Sequence, residues 1–272
     1  MTFNFSDTEK ESLYDNIELK SISDIIKEIN LEDSKVALAV NAAHKEIEAV
    51  IEKTIAQFSL GGRLFYIGAG TSGRLGILDA SECPPTFGVS ANMVIGIIAG
   101  GDTAIRKAVE FAEDDLNQGF KDLQKFGINT NDMVVGIAAS GRTPYVIGAV
   151  KQCKIHKIPT ACIVCSGKSE LAELVDFPIE ILVGPEYITG STRMKSGTAQ
   201  KMVLNMITTA TMIKLGKVSG NKMVDMQLSN EKLVDRGAKI IVEITKVSYG
   251  IAQKMLLQEG SVRKAINKIN ES

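Results

Sequence analysis

The sequence predicts an α/β fold: a doubly wound, five-stranded parallel sheet with helices before it and a small helical tail after it. Three observations predict it. Short, continuously apolar runs recur through the middle of the chain, helical stretches separate most of them, and Gly or Ser follows most of them. Strands that are apolar on both faces and alternate with helices belong to a parallel sheet covered on both sides. The sheet domain is expected over 61–220. Residues 1–60 form an N-terminal helical segment packed on it, and residues 221–272 a small helical C-terminal region.

Taken in order, Ser21 or Ser23 can cap a short helix that contains Ile25-Ile26-Lys27-Glu28-Ile29. A longer helix is expected from Asp33 to Phe58, because Val36, Ala39, Val40, Ala43, Ile47, Val50, Ile51 and Ile55 recur at three- and four-residue steps. Gly61-Gly62 ends it. Strands are expected at Leu64–Ile67, Met93–Ile98, Met133–Ile137, Ala161–Val164 and Ile179–Val183. A helix over Asp102–Leu123 would carry Ile105, Val109, Ala112, Leu116, Phe120 and Leu123 on one stripe. Another helix follows the fifth strand over 196–215, where Met194, Met202, Met206 and Met212 read as core filler. From Asn230 the chain reads as a helical tail.

Composition narrows the function. The chain has 272 residues, with 31 basic against 32 acidic side chains and a net charge of −1. A nucleic-acid binder of this size would carry a basic excess or stripe. No apolar stretch approaches the length of a membrane span. The start, Met1-Thr2-Phe3-Asn4-Phe5-Ser6-Asp7, lacks the basic and apolar regions of a signal peptide. Cys83, Cys153, Cys162 and Cys165 point to reduced thiols and a cytoplasmic protein. Cys162 and Cys165 form a C-x-x-C, but inside a strand, where they would face opposite sides. Zinc would need two more ligands, and only His44 and His156 exist, both in helical surroundings. No metal or redox cofactor is expected.

Ligands of such sheets bind at the carboxyl ends of the strands. Two turns there look alike. Gly68-Ala69-Gly70-Thr71-Ser72-Gly73-Arg74 follows the first strand, and Ala138-Ala139-Ser140-Gly141-Arg142-Thr143 follows the third. Each runs strand, Ser-Gly-Arg, helix. A helix start offers unpaired N–H groups and a partial positive charge. Glycines let the backbone approach an anion, and Ser, Thr and Arg add donors. The plainer alternative is that the hydroxyls only cap their helices. Gly68, Gly70 and Gly73 also spell G-x-G-x-x-G, but no ribose-binding acid stands at the expected distance of about 20 residues. A dinucleotide is therefore not expected. A third polar segment, Thr189-Gly190-Ser191-Thr192-Arg193-Met194-Lys195-Ser196-Gly197-Thr198, enters the Met-containing helix. Ser196 or Thr198 could be a cap there, and Arg193 and Lys195 could equally neutralise an anion.

Two acidic stretches offer proton chemistry. In Asp79-Ala80-Ser81-Glu82-Cys83-Pro84-Pro85, Pro84 should stop the helix and leave Glu82 on its last turn. A carboxylate there opposes the macrodipole, which would raise its pKa and suit a general acid. On the Asp102–Leu123 helix, Glu113 and Asp115 flank the apolar stripe while Asp114 points away. The stripe does not choose between them, and a solvated acidic face is the plainer reading.

The run Gly68 to Gly88 closely resembles the N-acetylmuramic acid 6-phosphate etherases of the sugar isomerase (SIS) domain superfamily. The likeness extends to Thr8-Glu9, Glu110-x-x-Glu113-Asp114, Ser140-Gly141-Arg142-Thr143-Pro144-Tyr145 and Thr189 through Lys201, in consistent order over roughly residues 8–240. The resemblance implies a SIS fold and cleavage of a lactyl ether by water, giving N-acetylglucosamine 6-phosphate and D-lactate. It implies Glu82 as the acid at the departing ether oxygen and Glu113 as the second catalytic carboxylate. The turn at residues 140–143 would hold the phosphate. Candidate substrate contacts are then Gly70, Thr71, Ser72, Gly73 and Arg74, then Ser140, Gly141, Arg142 and Thr143, then Ser191, Arg193 and Lys195. The resemblance also implies a homodimer, no cofactor, and a C-terminal region shorter than the family usually carries. A phosphosugar sensor like the glucokinase regulatory protein, or an aldose–ketose isomerase, are the competing readings.

Overall fold

A computed structural model of the protein describes residues 7–271. Five parallel strands form one sheet: β1 (Leu64–Gly68), β2 (Val94–Ile98), β3 (Met133–Ile137), β4 (Thr160–Val164) and β5 (Phe177–Glu180). Their order is β2-β1-β3-β4-β5. Tyr66 in the middle of β1 aligns with Gly96 on one side and Val135 on the other. The chain steps outward from β1 to β2, then crosses back to β3. The doubly wound sheet is as expected, and its order puts the topological switch point between β1 and β3.

Alternation along the strands feeds two cores. Leu64, Tyr66, Met133, Val135 and Ile163 enter one. It is covered by α2 (Val36–Ala42), α3 (His44–Ser59), α4 (Gly70–Phe87) and α9 (Lys195–Lys214). Phe65, Ile67, Val134, Cys162 and Val164 enter the other. That face is covered by α6 (Gln118–Gln124), α7 (Pro144–Ile155) and α8 (Glu170–Leu174). Cys162 and Cys165 thus lie in different cores, and burial pushes both thiols up to about 12.

Several boundaries differ from expectation for identifiable reasons. β5 ends at Glu180 because β4 ends opposite it at Val164; only the Ile181 N–H still reaches the Val164 carbonyl. Ser21 caps α1 (Ile22–Asp33), and the expected long helix is divided at Ala43 into α2 and α3. Val36, Val40, Ala43, Ile47 and Val50 still share one core, so the periodicity runs unbroken through the kink. The expected Asp102–Leu123 helix is broken into α5 (Thr103–Arg106), a 3-10 turn at Ala112–Asp114, and α6. Phe111 there has φ 58°, and the Leu116 carbonyl lies where a Cβ on Gly148 would stand, 1.7 Å away. Ile105, Val109 and Leu116 are exposed instead of forming a core stripe. Of the four methionines, Met212 is buried but Met206 faces outward.

Pro84 does not stop α4. A proline has the φ a helix needs, but it removes one hydrogen bond and crowds the carbonyl four residues back, so it disfavours a helix without forbidding it. Here the last turn is held from outside: Gln227 N–H donates to the Pro85 carbonyl at 3.1 Å, and Gly88 closes the helix with φ 63°. The segment that does this leads into α10 (Glu231–Thr245), α11 (Tyr249–Glu259) and α12 (Val262–Asn270). These form their own small core with Met226, Ile241, Leu256 and Val262.

One ion pair ties the N-terminal helices to the sheet domain. Lys195 at the start of α9 is buried, and its ammonium lies 2.6 Å from Glu32. Glu32 also accepts from Lys35 and from the Tyr14 hydroxyl. Burial opposes its charge, but bonds from Lys195, Lys35 and Tyr14 outweigh that and hold its carboxyl at about 2 instead of 4.5. Removing one partner of a buried pair strands the other. Lys195→Met should therefore cost about 3–5 kcal/mol in urea unfolding at neutral pH. A folded-state pKa below the unfolded one stabilises above pH 4.5 and fades as pH falls toward 2. Glu32→Gln should flatten that part of the acid-unfolding profile; an unchanged profile contradicts the assignment.

Candidate active site

The site is built where β1 and β3 end side by side. After β1 the chain passes through Gly70, with φ 50°, into α4. Gly73 is pressed onto the strand end, since a Cβ there would meet the Gly68 carbonyl at 2.8 Å and Ile98 at 2.5 Å. After β3 the chain turns through Gly141, with φ 66°, into α7, where Pro144 supplies the fixed first position. Two helix starts thus flank the switch point, as the paired Ser-Gly-Arg motifs suggested.

The two turns are not equally open. Ser72 is buried, and its hydroxyl donates to Gln200 of α9 at 2.9 Å. Arg74 donates from Nε to the Ile105 carbonyl at 3.0 Å, bracing α5. Gly70 is exposed and Thr71 half-buried, so these two present the first turn to solvent. In the second turn Ser140 and Thr143 are half-buried and Arg142 is exposed; the Ser140 hydroxyl accepts from the Arg142 N–H at 3.3 Å. The Arg142 guanidinium lies 4.0 Å from Glu9.

The third polar segment is largely committed internally. Glu186, fully buried, accepts from the Lys195 N–H at 2.9 Å, the Ser196 N–H at 2.9 Å and the Ser196 hydroxyl at 2.7 Å. The anion at the start of α9 is this carboxylate. With its ammonium on Glu32, Lys195 does not fit the expected role of neutralising a substrate anion. Ser191 is half-buried and Arg193 exposed, so the segment's remaining positive charge faces outward.

Glu82 and Glu113 are both exposed, at different heights on the domain. α4 runs back along the strands, with Gly76 packed on Tyr66. Glu82 lies twelve residues past Gly70, roughly 18 Å down the helix. Its expected place on the final turn is corrected, because α4 continues to Phe87. Glu113 sits in the 3-10 turn that packs against α7, beyond the carboxyl end of β2. Asp115 caps locally, accepting the Asn117 N–H at 2.8 Å.

The acid that the motif hides is Asp79. It is buried between α4 and α9, with the Thr208 hydroxyl 3.2 Å from Oδ1 and no hydrogen bond of good geometry to Oδ2. Burial pushes its carboxyl up to about 6, against the pull of Thr208, Tyr66 and the Lys201 ammonium, and Glu82 adds to the push. No periodicity marks it, because an acid among Leu75, Leu78, Ala80 and Cys83 gives no sign in the sequence that it is buried. The turn after β4, Ser166-Gly167-Lys168, is a third Ser-Gly-basic sequence at this rim. It was readable as such, but the preceding C-x-x-C dominates that stretch of sequence.

These features define a SIS-type fold. Profiles of the glucokinase regulatory protein N-terminal SIS domain and of the SIS domain match residues 45–154 and 106–210. The fold is shared by the phosphoheptose isomerase GmhA from Neisseria gonorrhoeae, with a TM-score of 0.52 at 15% identity, covering 70% of this chain and 99% of that one. A protein of Christiangramia forsetii named N-acetylmuramic acid 6-phosphate etherase is 58% identical over 96% of this chain and 95% of its own length. One of the same name from Bacteroides fragilis is 56% identical over 96% of this chain and 92% of its own. The chain belongs to the N-acetylmuramic acid 6-phosphate etherase family.

Asp79 gives a pH signature. A carboxyl whose folded pKa is raised from 3.8 to about 6 favours the folded state below pH 3.8 and loses that contribution as pH rises through 6. Wild-type protein should lose roughly 3 kcal/mol between those limits on this account. Asp79→Asn should show a flatter melting-temperature profile across pH 4–7; parallel profiles would remove Asp79 from this role.

Proposed function

We propose that this protein cleaves the D-lactyl ether of N-acetylmuramic acid 6-phosphate with water, releasing N-acetylglucosamine 6-phosphate and D-lactate. The observation that carries the reading is 58% identity to an etherase of that name over nearly the full length of both chains. The chemistry needs what the chain offers. An ether resists direct displacement. In the open-chain sugar its oxygen is β to the aldehyde, so the hydrogen on carbon 2 is acidified. A base takes that proton, an acid protonates the departing lactate oxygen, and water adds to the unsaturated aldehyde. Glu113 is the base and Glu82 the acid in this reading. The Ser140–Thr143 turn takes the phosphate, with Gly70 and Thr71 facing the sugar. Arg142 and Arg193 offset the substrate's negative charge in a protein of net charge −1.

We further propose a homodimer whose site draws on both copies. Glu82 stands more than three helical turns from Gly70 on the outward stripe of α4, whereas Glu113 belongs to the rim. A second copy bringing its Glu82 to this rim reunites them. Three features support the pairing. An apolar groove between α3 and α9 is lined by Ile47, Ile51, Met202, Met206 and Ile213. Phe111 and Leu116, beside Glu113, are exposed. The chain exposes 14180 Å², against about 11,500 Å² for a monomer of its mass. Four buried, unpaired cysteines fit a reducing cytoplasm, and no helix among the described residues is long and apolar enough to cross a membrane.

The match to the glucokinase regulatory protein SIS domain favours a second reading, a phosphosugar sensor without turnover. Incubation with N-acetylmuramic acid 6-phosphate in ¹⁸O-labelled water separates them. The expected result is D-lactate release with label entering the sugar at carbon 3. Absence of lactate favours the sensor, and label in lactate contradicts the elimination. Glu82→Gln should lower turnover by roughly two orders of magnitude or more.

A further inference from the structure

The turn after β4 lies directly against the second Ser-Gly-Arg turn. Leu171 N–H donates to the Gly141 carbonyl at 3.1 Å, and a Cβ on Gly141 would stand 2.1 Å from the Ser169 hydroxyl. The residues Ser166-Gly167-Lys168 therefore continue the wall that begins at Ser140.

One donor of this turn has no partner in the fold, and a second is held only by a carboxylate from the N-terminal segment. Ser166 is 1% exposed, and its hydroxyl has no hydrogen-bond partner among the described residues. Its neighbour Ser169 shows the contrast, accepting the Ala172 N–H at the start of α8. The Gly167 N–H is already donated to an anion, the Asp7 carboxylate, at 3.1 Å. Asp7 opens a short 3-10 turn, Asp7–Glu9, that crosses the rim. Lys10 and then the Gly167 N–H hold its carboxyl below the ordinary value, so it is charged at neutral pH. Two residues on, Glu9 stands beside Arg142. The segment is then fastened by Ser12, whose N–H meets Thr189 at 2.9 Å and whose hydroxyl donates to the Tyr187 carbonyl at 2.7 Å. An acidic piece of chain thus rests on the donors of two adjoining turns. The Lys168 N–H is not among the available ones, since it is bonded to Glu180 at 2.6 Å.

We infer that Ser166-Gly167-Lys168 is a third oxyanion-binding turn of the sugar site, in which the Gly167 N–H and Ser166 hydroxyl take an oxygen of the substrate's phosphate or lactyl carboxylate when Asp7 leaves. Asp7 is then a built-in competitor, because one N–H cannot serve both oxygens at full strength. The Lys168 ammonium, exposed at the same turn, adds positive charge for either anion. This inference rests on the phosphosugar reading above for the identity of the ligand, but its test does not depend on turnover.

Binding of inorganic phosphate and of D-lactate to the full chain, each by calorimetry, tests it on wild type, Asp7→Asn and Ser166→Ala, with melting curves alongside. Asp7→Asn should tighten one of the two ions several-fold, and Ser166→Ala should weaken that same ion about tenfold. Phosphate responding would mean that the two turns share the phosphate. Lactate responding would mean that the third turn takes the carboxylate. Unchanged affinities for both ions in both variants, at wild-type melting temperatures, overturn the inference. Should Ser166→Ala fail to fold, Asp7→Asn decides alone. Ion affinities that shift as expected in a protein releasing no lactate would refute the etherase reading and keep the turn. Lactate release with unmoved affinities would do the reverse.

Discussion

Two helices can start with their free N–H groups beside each other only where neighbouring strands send their chains to opposite faces of a sheet. In this protein that place is the gap between β1 and β3. The constraint is steric as much as electrostatic. Gly73 sits against the Gly68 carbonyl and Gly141 against Ser169, and neither place has room for a side chain. That close packing brings the N–H groups of the two turns together, and the surrounding side chains determine which donors remain available.

Many of the rim's polar groups are already committed within the fold. Glu186 fills the start of α9, Gln200 takes the Ser72 hydroxyl, and Glu32 holds the Lys195 ammonium. Each pairs a polar group from the rim with one from the N-terminal helices or α9. Together they fix the frame and leave the Ser140–Thr143 turn, Gly70, Thr71 and Arg193 turned outward. A polar, glycine-rich segment can thus be structural at one residue and open at the next, as Lys195 and Arg193 show two positions apart.

Much of the sheet was legible because its strands are apolar on both faces; β3 falls where the run Met133–Ile137 places it. The paired turns were legible because Ser-Gly-Arg recurs after two strands. What could not be read were features decided by distant partners. Pro84 continues α4 because Gln227 supports it, a contact 142 residues away in sequence. The stripe from Ile105 to Leu123 fits a helix as well as it fits broken turns, and the positive φ of Phe111 and the Leu116 carbonyl against Gly148 mark the latter. Ser72 and Lys195 were readable as anion donors, and their buried partners lie far along the chain. Asp79 was visible only as one acid in a motif, whereas its carboxyl owes its shift to burial between two helices.

The placement of the two glutamates makes the account a statement about assembly as well as chemistry. In the proposed dimer, Glu113 stands at the rim of one copy and Glu82 on the flank of α4 that the other copy covers. Mixing Glu82→Gln and Glu113→Gln subunits, each inactive alone, and exchanging them through mild denaturation tests this directly. A site shared across the dimer predicts recovery of about a quarter of wild-type lactate release, since half the dimers are hybrids and each hybrid has one intact site. A fully exchanged mixture that stays as inactive as its parents would contradict it.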